Sequence, residues 1–144
     1  MYHIPIYKVM LVKDGNYKAD IKIVSQPLDA YQILSGYLEG QDRENFLVLM
    51  LDTKHKVIGI NTVSIGNLNS CLVHPREVFK PAILSNTAAI ILGHNHPSGD
   101  TKPSNEDIEI TRRIAEAGKL LSISVLDHII VGEGFTSLKE AGNF

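Results

Sequence analysis

The pattern of apolar and polar positions predicts a hairpin at the start of the chain, followed by a helix. Residues 2–12 are rich in Tyr, Ile, Val and Leu and predict a strand, and Asp14-Gly15-Asn16 is a turn signal. The apolar segment 21–24 is the predicted partner strand. Apolar positions then recur at helical spacing from Leu28, which predicts an amphipathic helix ending at Gly40.

Two apolar runs predict the centre of a sheet. The run 46–51 is apolar throughout, which is typical of a strand buried on both faces. A polar turn follows this run, and the apolar stretch 57–65 after the turn predicts that the two segments form a second hairpin. The run 88–92 predicts another buried strand, which we expect to lie beside 46–51. Residues 123–131 predict the last core strand.

Two further helices are predicted between these strands. After a short extended piece at 71–73, the first should begin near Val78 or be kinked, because Pro81 would cost about 3 kcal/mol in a helix interior. The second should run from Ser104 to Gly118. The Gly-rich segment 132–144 is expected to be a loop and a loosely held tail. Hairpins and alternating elements together predict an α/β fold of three layers, a mixed β-sheet flanked by helices.

Composition narrows the class of protein. A chain of 144 residues predicts a single domain, 1–144, and 44% apolar with 21% charged residues is typical of a soluble globular protein. The net charge of −2 argues against direct nucleic-acid binding. Cys71 is the only cysteine, which excludes an intrachain disulfide, and we interpret it as a small buried side chain. We find no signal peptide or membrane segment and expect a cytoplasmic protein.

Candidate chemistry lies where the predicted strand 88–92 meets the helix from Ser104. His94 and His96 are two residues apart and project to the same side of an extended segment. Asp107 shares a helix face with the apolar positions that should point to the core. Two imidazoles and one carboxylate would leave a fourth tetrahedral position for water, as in a catalytic zinc site.

Simpler interpretations exist for each of these residues. An His-x-His pair alone is more often ordinary histidine, and Ser104 with Asp107 also reads as a helix-capping box. Their coincidence beyond a buried strand favours a metal site. Ser104 could instead donate a hydrogen bond to an oxyanion, which would compete with capping. As general base we favour Glu44, just before strand 46–51, with Glu77 and Glu106 as rivals.

The spacing of these residues resembles a known family. His94-x-His96, seven residues, Ser104, two residues and Asp107 is the JAMM (JAB/MPN+) metalloprotease motif. The strings HNHPSGD, NLNSCLVHPREVFKPAI and LDHIIVG resemble the bacterial RadC family over about residues 40–135. The resemblance implies a JAB/MPN fold, loosely similar to that of cytidine deaminases.

The resemblance also implies an activity. His94, His96 and Asp107 would be ligands of one zinc ion per chain, Ser104 would stabilise an oxyanion, and Glu44 would be the general acid/base. Such enzymes cleave peptide or isopeptide bonds by attack of water on a zinc-polarised carbonyl, so the expected partner is a protein or peptide substrate. RadC proteins are historically associated with DNA repair, and DNA-repair proteins are therefore expected partners too.

Some features differ from the family pattern or fit other functions. Residues 1–40 show no helix-hairpin-helix module, which makes direct DNA contact doubtful. An alternative function is a non-catalytic module of a DNA-processing complex with a structural zinc. A zinc deaminase would need a ligand set that this chain lacks. Asp127 and His128 could fix an imidazole tautomer or be ordinary strand residues, and His74 is expected in a turn.

Overall fold

Five strands and three helices make up the described part of the chain, residues 1–66 and 73–144, in a computed structural model. The elements in chain order are α1 (Pro27–Tyr37), β1 (Asn45–Leu51), β2 (Val57–Ile65), α2 (Pro75–Leu84), β3 (Ala89–Asn95), α3 (Asn105–Leu121), β4 (Ser124–Gly132) and β5 (Gly134–Ser137). No helix in these ranges is both long and apolar enough to cross a membrane.

The strands form one mixed sheet in the order β2-β1-β3-β4-β5. β1 is antiparallel to β2 and to β3, β3 is parallel to β4, and β5 returns antiparallel to β4. The predicted hairpin of β1 and β2 and the predicted contact between β1 and β3 are both confirmed. Phe46 of β1 lies opposite His94 of β3, so the start of β1 meets the end of β3.

The two faces of β1 explain why all seven of its residues are buried. Because side chains alternate along a strand, odd and even positions of β1 enter different cores. Leu47, Leu49 and Leu51 pack with α1 on one face, whereas Phe46 and Val48 pack with α2 and α3 on the other. The sheet is therefore the middle of three layers, which confirms the predicted α/β class.

The predicted hairpin of residues 2–12 and 21–24 is wrong. Residues 1–19 carry no strand, and most of their apolar side chains are exposed. Residues 22–24 pair instead with the turn that precedes β2, through an Ile23–Lys56 bridge and a hydrogen bond from Val24 N–H to the His55 carbonyl. A segment rich in β-branched and aromatic residues suits a pleated, half-buried surface, but this composition does not determine which strand the segment pairs with.

The bounds of both later helices also differ from the prediction. α2 begins at Pro75, where the missing N–H needs no partner, and it continues through Pro81. α3 continues past Gly118 to Leu121, and Ser122 caps it in the left-handed conformation with φ 58°. A Cβ on Gly118 would lie 2.4 Å from the Ile123 carbonyl oxygen. Gly118 thus permits the close approach of the next segment rather than ending the helix.

The C-terminal segment is better ordered than predicted. β5 pairs with β4, and Leu138 beyond it is fully buried. Hydrogen bonds from Ser137 Oγ (2.5 Å) and Lys139 N–H (3.1 Å) to the Asp127 carboxylate tie this segment to β4. The predictions for Cys71 and for most of the extended piece 71–73 lie outside the described residues.

Candidate metal centre

β3 extends further than the predicted strand and carries the two histidines to its carboxyl end. His94 lies within β3 and is fully buried, and His96 follows the last strand residue and is partly exposed. Because the two residues are i and i+2 in extended backbone, their rings lie on the same side, as predicted. Their Nε2 atoms are 2.9 Å apart.

A helix cap holds Asp107 beside these histidines. Ser104 is the N-cap of α3: its Oγ accepts a hydrogen bond from Asp107 N–H at 3.0 Å, and its own N–H donates to Asp107 Oδ2 at 2.8 Å. Both halves of the predicted capping box are therefore present. Asp107 is only 4% exposed, whereas Glu106 and Glu109 face solvent, as the helical periodicity predicts.

The three donor groups are spaced as ligands of one small cation. His94 Nε2 lies 3.3 Å from Asp107 Oδ1, and His96 Nε2 lies 3.2 Å from Asp107 Oδ2. Donor atoms about 2.0–2.1 Å from a tetrahedral zinc are separated by about 3.3 Å. The three residues can therefore hold a metal ion.

The protonation of His96 also suits a cation. Its Nδ1 lies 2.7 Å from the Asp100 carbonyl oxygen, which can only accept, so Nδ1 carries a proton and Nε2 of the neutral ring presents a lone pair. The hydrogen bond with Asp107 raises the pKa of His96 above its usual value, against the opposing effect of burial. A metal ion that binds Nε2 must displace the second proton, which Nε2 carries when the ring is charged.

Asp107 is ionised in this setting. Burial acts to raise its pKa, but hydrogen bonds with His94 and His96 outweigh burial and hold the pKa well below its ordinary value. A metal ion bound between this carboxylate and the two imidazole nitrogens would supply positive charge that favours the ionised form.

A polar cleft opens from these residues and includes the predicted general base. Its lining contains Glu44, Gly66, His96, Ser98, Ser104 and Asp107, among others. Glu44 lies just before β1, and the pairing of Phe46 with His94 brings that end of β1 to the histidines. Glu106 also lines the cleft but is exposed, and Glu77 on α2 forms an ion pair with Lys80 at 3.2 Å. The catalytic roles of Glu44 and Ser104 stay predictions.

Sequence reasoning missed Asn95, which holds the backbone on both sides of Glu44. Its Oδ1 accepts a hydrogen bond from Asn45 N–H at 2.7 Å, and its Nδ2 donates to the Arg43 carbonyl at 2.8 Å. Asn95 is 6% exposed and lies between the two histidines as the last residue of β3. The signal in the sequence was a carboxamide at the end of a buried strand, where a polar side chain needs partners.

His128 contacts the centre, whereas Asp127 does not. His128 is fully buried in β4, and its Nε2 lies 2.7 Å from His94 Nδ1. Burial lowers the pKa of His128 well below its usual value, so its ring is neutral. The Asp127 carboxylate instead accepts hydrogen bonds from Ser137, the last residue of β5, and from Lys139 N–H. His74, predicted in a turn, is the N-cap of α2.

Comparisons with known proteins identify the family. Residues 24–143 match the model of the RadC-like JAB domain. A UPF0758 protein of Rubrobacter xylanophilus is 54% identical over 120 residues, which cover 83% of this chain and 53% of the relative. A UPF0758 protein of Moorella thermoacetica is 56% identical over 119 residues (82% and 52%), and one of Methanosarcina mazei is 49% identical over 120 residues (83% and 52%).

The match begins earlier in the chain than the resemblance in the sequence motifs, at residue 24 rather than near residue 40. The chain spans about half the length of the curated relatives it matches. The mixed sheet flanked by helices is consistent with a JAB/MPN domain, and the chain belongs to the RadC-like JAB domain family.

Proposed function

We propose that this chain is a zinc-dependent hydrolase of the JAMM type that cleaves a peptide or isopeptide bond. The observation that carries the proposal is the convergence of His94 Nε2, His96 Nε2 and the Asp107 carboxylate. Asp107 and His96 line a cleft that Glu44 also lines. His94, His96 and Asp107 would hold one zinc ion. Bound there, zinc would supply a Lewis acid that polarises a carbonyl and lowers the pKa of a water to about 7.

The number of protein ligands favours a catalytic site over a structural one. Structural zinc sites have four protein ligands, whereas catalytic sites keep one position for water or substrate. The described cluster offers three such residues, and two of them, His96 and Asp107, line a cleft. These features support hydrolysis over the alternative of a non-catalytic module with a structural zinc.

Glu44 would move the proton that this reaction requires. A carboxylate at the cleft wall can accept a proton from the attacking water and deliver it to the leaving nitrogen. Asn95 would assist indirectly, because its two hydrogen bonds hold the peptide groups that flank Glu44.

Ser104 would donate a hydrogen bond to the oxygen that gains negative charge. In the helix cap, Ser104 Oγ accepts a hydrogen bond from Asp107 N–H and so uses a lone pair rather than its proton. Capping and donation are therefore compatible in one hydroxyl group, which removes the competition that the sequence alone raised.

The expected partner is a protein or peptide substrate, and proteins of DNA repair are candidates through the family association. The net charge of −2 and the pI near 6.3 favour a protein over a nucleic acid in the cleft. A cytoplasmic location stays a prediction.

Metal content and a matched pair of variants test the proposal. Protein purified without chelator should contain about one zinc per chain by elemental analysis, His96→Ala should lose it, and Glu44→Gln should keep it. Proteomics of cells producing wild type or Glu44→Gln should reveal peptide or isopeptide products that only the wild type generates. Glu106→Gln, which alters an exposed carboxylate of the same cleft, is the control and should retain those products.

Zinc content and the products that depend on Glu44 together distinguish the hydrolase from the non-catalytic module. Zinc binding without any product that depends on Glu44 would favour the non-catalytic module. Protein that neither contains zinc nor takes it up would refute the hydrolase.

A further inference from the structure

A chain of hydrogen bonds runs behind the metal-binding face and joins β3, β4 and α3. His94 Nδ1 lies 2.7 Å from His128 Nε2, and His128 Nδ1 lies 2.5 Å from Thr111 Oγ1. Thr111 Oγ1 lies 2.6 Å from the backbone carbonyl oxygen of Asp107. The chain thus begins on the ring of one candidate ligand and ends on the backbone of another.

The last group of this chain fixes the direction of every bond in it. A carbonyl oxygen can only accept, so the single hydroxyl proton of Thr111 points to Asp107. Thr111 Oγ1 must then accept from His128, which places a proton on His128 Nδ1 and leaves Nε2 unprotonated. His128 Nε2 must in turn accept from His94, which places the proton of His94 on Nδ1.

We propose that Thr111 and His128 are positioning residues that hold His94 in the Nδ1–H tautomer, with the lone pair of Nε2 directed at the metal position. This inference rests on the proposed metal site for its function, but the hydrogen-bond direction does not depend on a metal being bound. Thr111 and His128 would not touch the metal or the substrate.

Burial makes this control effective. His94, Thr111 and His128 are each 0% exposed, so solvent has no access to replace a missing partner. The ring of Phe46 packs against both imidazoles, with its centroid 6.1 Å from that of His94 and 5.4 Å from that of His128. The rings are therefore held in orientation as well as in tautomer.

His96 reaches the same tautomer by a different contact. Its Nδ1 donates to the Asp100 carbonyl within the loop that follows β3. Both imidazoles thus donate a hydrogen bond from Nδ1 and direct the lone pair of Nε2 at the metal position. His96 does so through a contact within its own loop, and His94 through hydrogen bonds that join β3, β4 and α3. Partners of this kind orient metal-binding histidines and raise their basicity.

Zinc affinity of matched variants tests the inference. Thr111→Val removes the hydroxyl at nearly constant volume, and Thr111→Ser restores it. His128→Leu removes the acceptor for His94, whereas His128→Gln places an amide oxygen near the position of Nε2. We expect zinc binding, measured by competition with a chromophoric chelator, to weaken about 10- to 100-fold in the Val and Leu variants. The Ser and Gln variants should recover most of this loss.

The control is Thr87→Val, at the opposite end of β3. Thr87 is also buried and hydrogen-bonded, with its Oγ1 2.7 Å from Ser85 Oγ. This variant should lose stability while its zinc affinity stays within about two-fold of wild type, since it lies roughly 20 Å along the strand from His94. Equal zinc affinity for wild type and Thr111→Val would overturn the inference.

A spectroscopic readout needs no variant and separates this inference from the proposed function. Long-range ¹H–¹⁵N correlation spectra of the wild type should show His128 protonated on Nδ1 and not on Nε2, with and without zinc. A His128 protonated on Nε2 would overturn the inference even if zinc binds. Failure to bind zinc would refute the hydrolase, while the His128 spectrum would still decide the hydrogen-bond direction.

Discussion

Replacing Asn95 by alanine should destabilise the protein through a specific loss of buried hydrogen bonds. The Asn45 N–H group would lose its 2.7 Å partner within a residue that is 5% exposed. An unsatisfied buried donor costs about 1–3 kcal/mol. The Arg43 carbonyl would lose one donor but keep the Asn45 Nδ2 group at 2.9 Å, so its loss is smaller, about 0.5 kcal/mol. We expect a total near 2–3 kcal/mol.

Chemical denaturation measures this loss as a lower free energy of unfolding. The slope of that free energy against denaturant concentration should be the same as in the wild type. For a chain of this size the loss corresponds to a decrease in Tm of about 5–10 °C. Asn95→Asp is the matched control, because its carboxylate can still accept from Asn45 N–H but cannot donate to Arg43. Zinc affinity of Asn95→Ala should change little, whereas hydrolysis should fall, since the backbone around Glu44 is released. A loss of stability below about 0.5 kcal/mol would refute this reasoning.

Three further predictions concern α3 and the pH dependence of the site. Gly118→Ala should lower the free energy of unfolding by about 2 kcal/mol, a typical overpacking penalty, because the new Cβ would lie 2.4 Å from the Ile123 carbonyl oxygen. Thermal unfolding measures this loss, and an unchanged Tm would contradict it. Ser104→Ala should remove the helix cap and about 1 kcal/mol of stability, and Ser104→Thr should restore most of it. The pKa of His96 is raised by Asp107, so the stability from this contact in metal-free protein is complete below pH 6.5 and is lost as the pH rises through the folded-state pKa. Zinc affinity should change in the opposite direction and increase as the pH rises, because fewer His96 rings then carry the second proton. Calorimetric titrations from pH 6 to 9 that show no such increase would contradict this competition between zinc and the proton.

The sequence predicted those parts of the fold that local patterns determine. The continuous apolar run of β1 indicated burial on both faces, and helical spacing placed Asp107 toward the core and Glu106 toward solvent. The hairpin at residues 2–12 failed because strand propensity does not specify a partner. Pro81 within α2 shows that a penalty for one residue does not exclude a helix whose other contacts are favourable.

The candidate site was predictable only in part for a similar reason. The spacing of His94, His96 and Asp107 is local and could be interpreted directly from the sequence. Asn95 forms hydrogen bonds with Asn45 and Arg43, which are 50 and 52 residues away in the chain. Thr111 contacts His128, which is 17 residues away. No sequence pattern distinguishes such residues from other buried polar groups; they become identifiable once the strand register is known.

The most direct test of the central claim is anomalous diffraction at the zinc absorption edge from crystals grown without chelator. We predict one peak per chain, bonded to Nε2 of His94, Nε2 of His96 and a carboxylate oxygen of Asp107 at about 2.0–2.2 Å. Crystals that show no anomalous peak at this position even after soaking with zinc would contradict the metal site. A peak bonded to Nδ1 of His94 would contradict the predicted tautomer.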